Sequence, residues 1–142
     1  FVSLRSDYRY SMEEIPSLEA EVLERVTEDF ARYAARLHSN GFVHRDFSAG
    51  NILFDLVDDR YHFTLLDTNS VKWGKAVSVE QGCANFARLV GTPFFFERLA
   101  HHYAALRKAD ASQCLSWIMT ACDEYRRRPH PHHNNVTGIV EA

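Results

Sequence analysis

The segment from Val43 to Asp67 constrains this chain more than any other. It opens Val43-His44-Arg45-Asp46-Phe47-Ser48-Ala49-Gly50-Asn51, which reads His-x-Asp, four residues, then Asn. Ile52 to Leu56 follows as a short apolar strand, Asp58-Asp59 as a turn, and Tyr61 to Leu66 as a second strand that ends on Asp67. Two strands joined so tightly pair as an antiparallel hairpin, which returns Asp67 to the level of Asn51. One at a time these residues have ordinary explanations: His44 as a core histidine, Asp46 and Asn51 as loop caps, Asp67 as a strand-end turn residue. Their order of strand, loop, strand, strand and acid is hard to obtain by accident.

Phosphoryl transfer needs a carboxylate to orient the attacking hydroxyl and two oxygen ligands to hold magnesium against the phosphates. Asp46, Asn51 and Asp67 are the right inventory for that reaction. With a long amphipathic helix before it, the segment resembles the catalytic loop and metal-binding segment of the protein-kinase-like fold. The following run is more particular: Asp67-Thr68-Asn69-Ser70-Val71-Lys72-Trp73-Gly74-Lys75, then Glu80-Gln81-Gly82-Cys83-Ala84-Asn85-Phe86-Ala87-Arg88-Leu89. It resembles the bacterial lipopolysaccharide core kinases, which phosphorylate Kdo or heptose sugars. The kinase-like motifs cover residues 42 to 69, and the narrower resemblance continues to about residue 91.

That resemblance implies Asp46 as the catalytic acid/base and His44 as a brace within the loop. Asn51 and Asp67 would be magnesium ligands, and Lys72 would approach phosphate. It implies ATP and Mg2+ as cofactors, a glycolipid or small-molecule hydroxyl acceptor, and a cytoplasmic location with peripheral contact at the inner membrane. The expected fold class is α+β, mainly helical: the C-terminal lobe of a protein-kinase-like fold with a small antiparallel β-hairpin at the catalytic loop. Two departures narrow the reading. Thr68-Asn69 stands where protein kinases have Phe-Gly, and no Ala-Pro-Glu follows, which favours a small-molecule or glycolipid acceptor over a peptide. No glycine-rich phosphate loop or Val-Ala-Ile-Lys-like strand is found, and the only lysines, Lys72, Lys75 and Lys108, all follow the catalytic loop. Residues 1–142 are therefore expected to be one domain, whose partner is a missing N-terminal nucleotide-binding lobe of the same protein. Aminoglycoside- and choline-type kinases resemble the same loop but usually have Gly in place of Arg45. A non-catalytic kinase-like binding module is a third reading, favoured by the missing lysine and opposed by the retained Asp46, Asn51 and Asp67.

At 142 residues, 46% apolar and 25% charged, the chain suits a single globular unit. The net charge of −3 gives no reason to expect nucleic-acid binding. Cys83, Cys114 and Cys122 lack metal-type spacing and read as buried thiols in a reducing compartment.

Around the central segment, Phe1 to Leu4 is a strand candidate. A helix is expected from Ser17, its N-cap, to about Ser39, with Leu18, Val22, Val26, Phe30, Tyr33, Ala34 and Leu37 on one face. Asn40-Gly41 supplies the stop. Gly50 is expected to let the backbone turn closely beside Asn51. Trp73 reads as a packing anchor or a sugar-stacking platform. Ser78-Val79-Glu80-Gln81 is a capping box for a helix to about Val90, within which Gly82 suggests close approach to another backbone, that of the catalytic loop. Pro93 opens a helix striped by Phe94, Phe95, Leu99, Tyr103 and Leu106, and Asp110 caps a last one with Leu115, Ile118, Met119, Cys122 and Tyr125 inward. His101 and His102 are adjacent on a helix and make a poor ligand pair. From about residue 127 to 142 the Arg/His-rich tail is expected to be flexible and solvated, with an anion patch and a metal site as the functional alternatives.

Overall fold

The structure is a computed structural model that describes residues 8–44, 47–66, 71–72 (backbone only) and 74–128. The longest element is α1 (Ala20–Ser39), whose face of Leu23, Val26, Phe30, Ala31 and Ala34 is buried. Its end is a Schellman closure: Gly41 N–H donates to the His38 carbonyl at 3.0 Å and Phe42 N–H to that of Leu37 at 2.9 Å. Gly41 has φ +80, and a Cβ there would lie 2.0 Å from the Gly74 carbonyl oxygen, so glycine is required twice over.

β3 (Ile52–Val57) and β4 (Arg60–Leu65) form the expected hairpin, with Ile52 opposite Leu65 and Val57 opposite Arg60. Asp58 and Asp59 make the turn, both at positive φ, 53° and 69°. This is the two-residue geometry that matches strand twist and that Asp tolerates better than most residues. β1 (Tyr10–Ser11) adds a third antiparallel strand beside β3, Tyr10 opposite Phe54. A second sheet pairs β2 (Val43–His44) with β5 (Val71–Lys72), antiparallel, His44 opposite Val71. Three further α-helices follow among the described residues: α2 (Val79–Ala84), α3 (Pro93–Arg107) and α4 (Ala111–Arg127). Caps on Thr92 and Asp110 accept the N–H of Phe95 and Gln113, and Ser78 accepts that of Gln81.

Several boundaries differ from the sequence expectations. Ser17 does not cap α1. It closes a 3-10 helix (Met12–Ser17), its hydroxyl donating to the Glu14 carbonyl at 2.9 Å, and α1 begins after Glu19 with no side-chain cap. That short helix has its own capping box, Ser11 with Glu14. α2 stops at Ala84 rather than Val90 because the chain tightens: Phe86, Ala87 and Leu89 N–H groups donate three residues back. On α3, Phe94 and Leu106 are 45% and 44% exposed. Phe94 lies 100° round from Phe95, which with Phe96, Leu99 and Tyr103 forms the buried face, and Leu106 falls in the last turn. α4 buries Cys114, Ile118 and Cys122 most deeply, leaving Leu115, Met119 and Tyr125 half-buried. The expected strand at Phe1 to Leu4, Trp73 and the tail beyond Arg128 fall outside the described residues, although α4 carries the chain helically through Arg127.

The core converges on Phe30. Its ring stacks on Phe47 at 5.9 Å, meets Phe63 edge-on at 5.4 Å and lies 6.0 Å from Phe86. One side chain of α1 thus ties together the loop after β2, the hairpin and the turns after α2. Glu24 on α1 adds a polar clamp to α3, accepting from Arg98 at 2.8 and 3.0 Å and from His102 at 2.7 Å. Arg98 first, then His102, holds this carboxyl down at about 2. His102 therefore packs as a hydrogen-bond partner of Glu24 and not as a metal ligand. All three thiols are buried, and burial pushes each of them above its ordinary range.

Candidate active site

Asp46 and Asp67, together with the Lys72 side chain, lie outside the described residues. The site is therefore built from what surrounds them. His44 is 1% exposed at the end of β2, and its Nε2 lies 3.0 Å from the Leu66 carbonyl. A carbonyl only accepts, so Nε2 carries the proton. Leu66 in turn donates its N–H to the Asn51 carbonyl at 2.8 Å, extending the β3–β4 register by one pair. Asn51 closes a single 3-10 turn (Ala49–Asn51), its N–H donating to Ser48 at 3.0 Å. Two hydrogen bonds thus join the residue two before Asp46, the expected metal-binding Asn51, and the residue directly before Asp67.

Phe47, immediately after Asp46, is 1% exposed among Phe30, Phe86, His38 and His44, with ring centroids 5.9 to 6.5 Å away. The β2–β5 ribbon sets the backbone of Lys72 opposite Val43, one position before His44. Gly50 does not turn through a special conformation; its small size makes room for Glu13, whose carboxylate oxygen would lie 3.0 Å from an added Cβ.

The sequence reading missed four side chains that reach this loop. Asn85 Nδ2 donates to the His44 carbonyl at 3.1 Å, and behind Asn85 stand His38, Tyr103 and Arg107. Gly82 belongs to this group. A Cβ there would lie 1.9 Å from the Tyr103 hydroxyl and 2.9 Å from His38 Nδ1, so the glycine admits two side chains and not another backbone. The signal was a glycine inside a helix three residues before an asparagine, but its distant partners cannot be seen in local spacing. Among the described residues there is no cluster of His, Cys, Asp or Glu that could hold a metal ion and no helix long and apolar enough to cross a membrane.

A helical body, a catalytic-loop segment pinned beneath it and a hairpin returning to the loop define the C-terminal lobe of a protein-kinase-like fold. The solved structure of "WaaP in complex with acyl carrier protein" shares it, with a TM-score of 0.54 and 20% identity. The match covers 71% of this chain and 48% of that one, so the chain spans about half the length of the solved relative. No curated protein matches the chain. The lipopolysaccharide kinase (Kdo/WaaP) family model matches residues 3–81, more than half of the sequence. The chain belongs to the lipopolysaccharide kinase (Kdo/WaaP) family.

Proposed function

We propose that the protein transfers a phosphoryl group from ATP, with magnesium, to a hydroxyl of a lipopolysaccharide core sugar, Kdo or heptose. What carries this reading is the pair of bonds His44 Nε2–Leu66 O and Leu66 N–Asn51 O. They draw the catalytic-loop segment and the segment leading to Asp67 onto one point. In this reading Asp46 accepts or orients the proton of the attacking hydroxyl, His44 braces the loop, and Lys72 approaches phosphate.

Asn51 and Asp67 would hold magnesium. The donor set is an amide oxygen and a carboxylate oxygen, hard ligands suited to Mg2+, and Asn51 is half-buried at the mouth of the hairpin. Bound magnesium would neutralise charge on the phosphates. The chain's own contribution is to hold Asp46 and the two ligand residues in fixed relation, because phosphoryl transfer depends on positioning more than on covalent chemistry. The clamping lysine and glycine-rich loop would come from an N-terminal lobe of the same protein, and the acceptor would be met at the cytoplasmic face of the inner membrane.

The test is magnesium-dependent transfer of labelled phosphate from ATP to purified lipopolysaccharide by the full gene product, beside Asp46→Asn. Label in the glycolipid that vanishes with Asp46→Asn supports the reading. Turnover preserved in that variant removes Asp46 from its role. Nucleotide hydrolysis without label in the glycolipid sends the assignment to aminoglycosides, choline and other small hydroxyl acceptors. Absence of nucleotide binding leaves a non-catalytic binding module.

A further inference from the structure

A hydrogen-bonded chain runs from the C-terminal turn of α3 to the catalytic loop, and every proton in it has one allowed place. Arg107 only donates, and its Nη1 lies 2.6 Å from the Tyr103 hydroxyl oxygen. The Tyr103 proton is thereby directed to His38 Nδ1, 2.8 Å away. With Nδ1 accepting, the neutral His38 ring carries its proton on Nε2 and donates to Asn85 Oδ1 at 2.9 Å. That fixes the Asn85 amide, whose Nδ2 donates to the His44 carbonyl at 3.1 Å. Arg107 also donates to the Val77 carbonyl, and Val77 N–H donates to the His38 carbonyl at 2.9 Å, closing the chain on α1. His38, Tyr103 and Gly82 are buried, and the missing Cβ of Gly82 makes room for the Tyr103 hydroxyl.

We propose that Asn85 is a positioning residue for phosphoryl transfer, oriented by the Arg107–Tyr103–His38 chain and acting through the backbone of His44. The proposal rests on the kinase reading above. A half-buried amide with both ends committed cannot flip without placing N–H against N–H and oxygen against oxygen. The His44 carbonyl is therefore held at one distance from α1 and α3. His44 spans both functional segments, its backbone held by Asn85 and its ring donating to Leu66. The rigid helices thus set the height of the loop over the hairpin, and a misplacement of about 1 Å can cost about 100-fold in rate.

Asn85→Asp keeps the acceptor toward His38 and removes the donor toward His44. In the full gene product it is expected to lower kcat per folded molecule on the order of 100-fold, with nucleotide KM within about threefold of wild type. Hydrogen exchange of peptides covering residues 42–48 should quicken about tenfold, while peptides within α1 stay unchanged. Tyr103→Phe, which removes one hydroxyl and leaves Asn85 intact, should quicken the same exchange about threefold. If Asn85→Asp does not fold, the Tyr103→Phe exchange decides alone. Exchange of 42–48 unchanged in the folded variants overturns the tether, and kcat unchanged in Asn85→Asp overturns its part in the reaction. A wild-type protein that transfers no phosphate overturns the kinase reading, and the exchange measurement still decides the tether.

Discussion

His38 should make this lobe acid-sensitive in a defined window. Burial first, with the Arg107 charge adding to it, pushes its imidazole down from the ordinary 6.5 to about 4, against a smaller opposing pull from the Asn85 hydrogen bond. The folded state thus favours the neutral ring, and its geometry demands it, since Nδ1 must accept from Tyr103. The unfolded chain takes up the proton first as pH falls. The contribution is fully present above about pH 6.5, is lost between about 6.5 and 4, and totals about 3 kcal/mol at 1.36 kcal/mol per unit. Most of it, about 2 kcal/mol, is gone by about pH 5. The Glu24 carboxyl is held at about 2, so its own loss begins only below its ordinary 4.5, outside the interval from about pH 7 to about pH 5. Urea unfolding at about pH 7 and about pH 5 for wild type and His38→Gln isolates the effect. Wild type should lose about 2 kcal/mol more than the variant over that interval. Equal losses within about 0.5 kcal/mol would refute a neutral, buried His38.

Two structural predictions accompany it. Glu24→Gln should destabilise by about 1 kcal/mol, a figure kept small because Glu24 and Arg98 are each about one-third exposed. The variant should also lose less stability than wild type as pH falls from about 4.5 toward 2, read by denaturant midpoints; an identical acid limb would show that the clamp between α1 and α3 contributes nothing. Gly41→Ala forces a Cβ to within 2.0 Å of the Gly74 carbonyl oxygen at positive φ. It should cost about 2–4 kcal/mol and lower the thermal midpoint by more than any exposed α1 substitution to Ala; a midpoint within about 2 °C of wild type would mean that the Gly74 segment moves aside freely.

What could be read from the sequence follows the range of the interaction. The hairpin, the Asn40-Gly41 stop, the caps at Ser78 and Asp110, the helix start at Pro93 and the faces of α1 and α4 are set by residues within a few positions of each other. The sequence states such arrangements directly. Errors came where a local signal competed with a distant partner. Ser17 looked like a helix cap, but the Ser11–Glu14 capping box one turn earlier drew it into a 3-10 helix. Gly82 was correctly read as a place of close approach, but the intruder is the Tyr103 hydroxyl, 21 residues away and on another helix.

The support of the active site was hidden for the same reason. His38 to Tyr103 spans 65 residues, His38 to Asn85 spans 47, and His44 to Asn85 spans 41. Each side chain alone is an ordinary histidine, tyrosine or asparagine on or beside a helix. Loop-closure cost grows only slowly with separation, so a fold can draw such distant groups together at little more expense than near ones. The residues proposed to perform the transfer can therefore sit in one readable stretch of 25, while those proposed to hold them still are dispersed over α1, the cap of α2 and α3. The proposed phosphoryl transfer would account for that division. Such transfer rests on positioning, and in this reading rigidity is drawn from the packed helices that carry His38 and Tyr103 and from Asn85 at the end of α2, not from the loop itself.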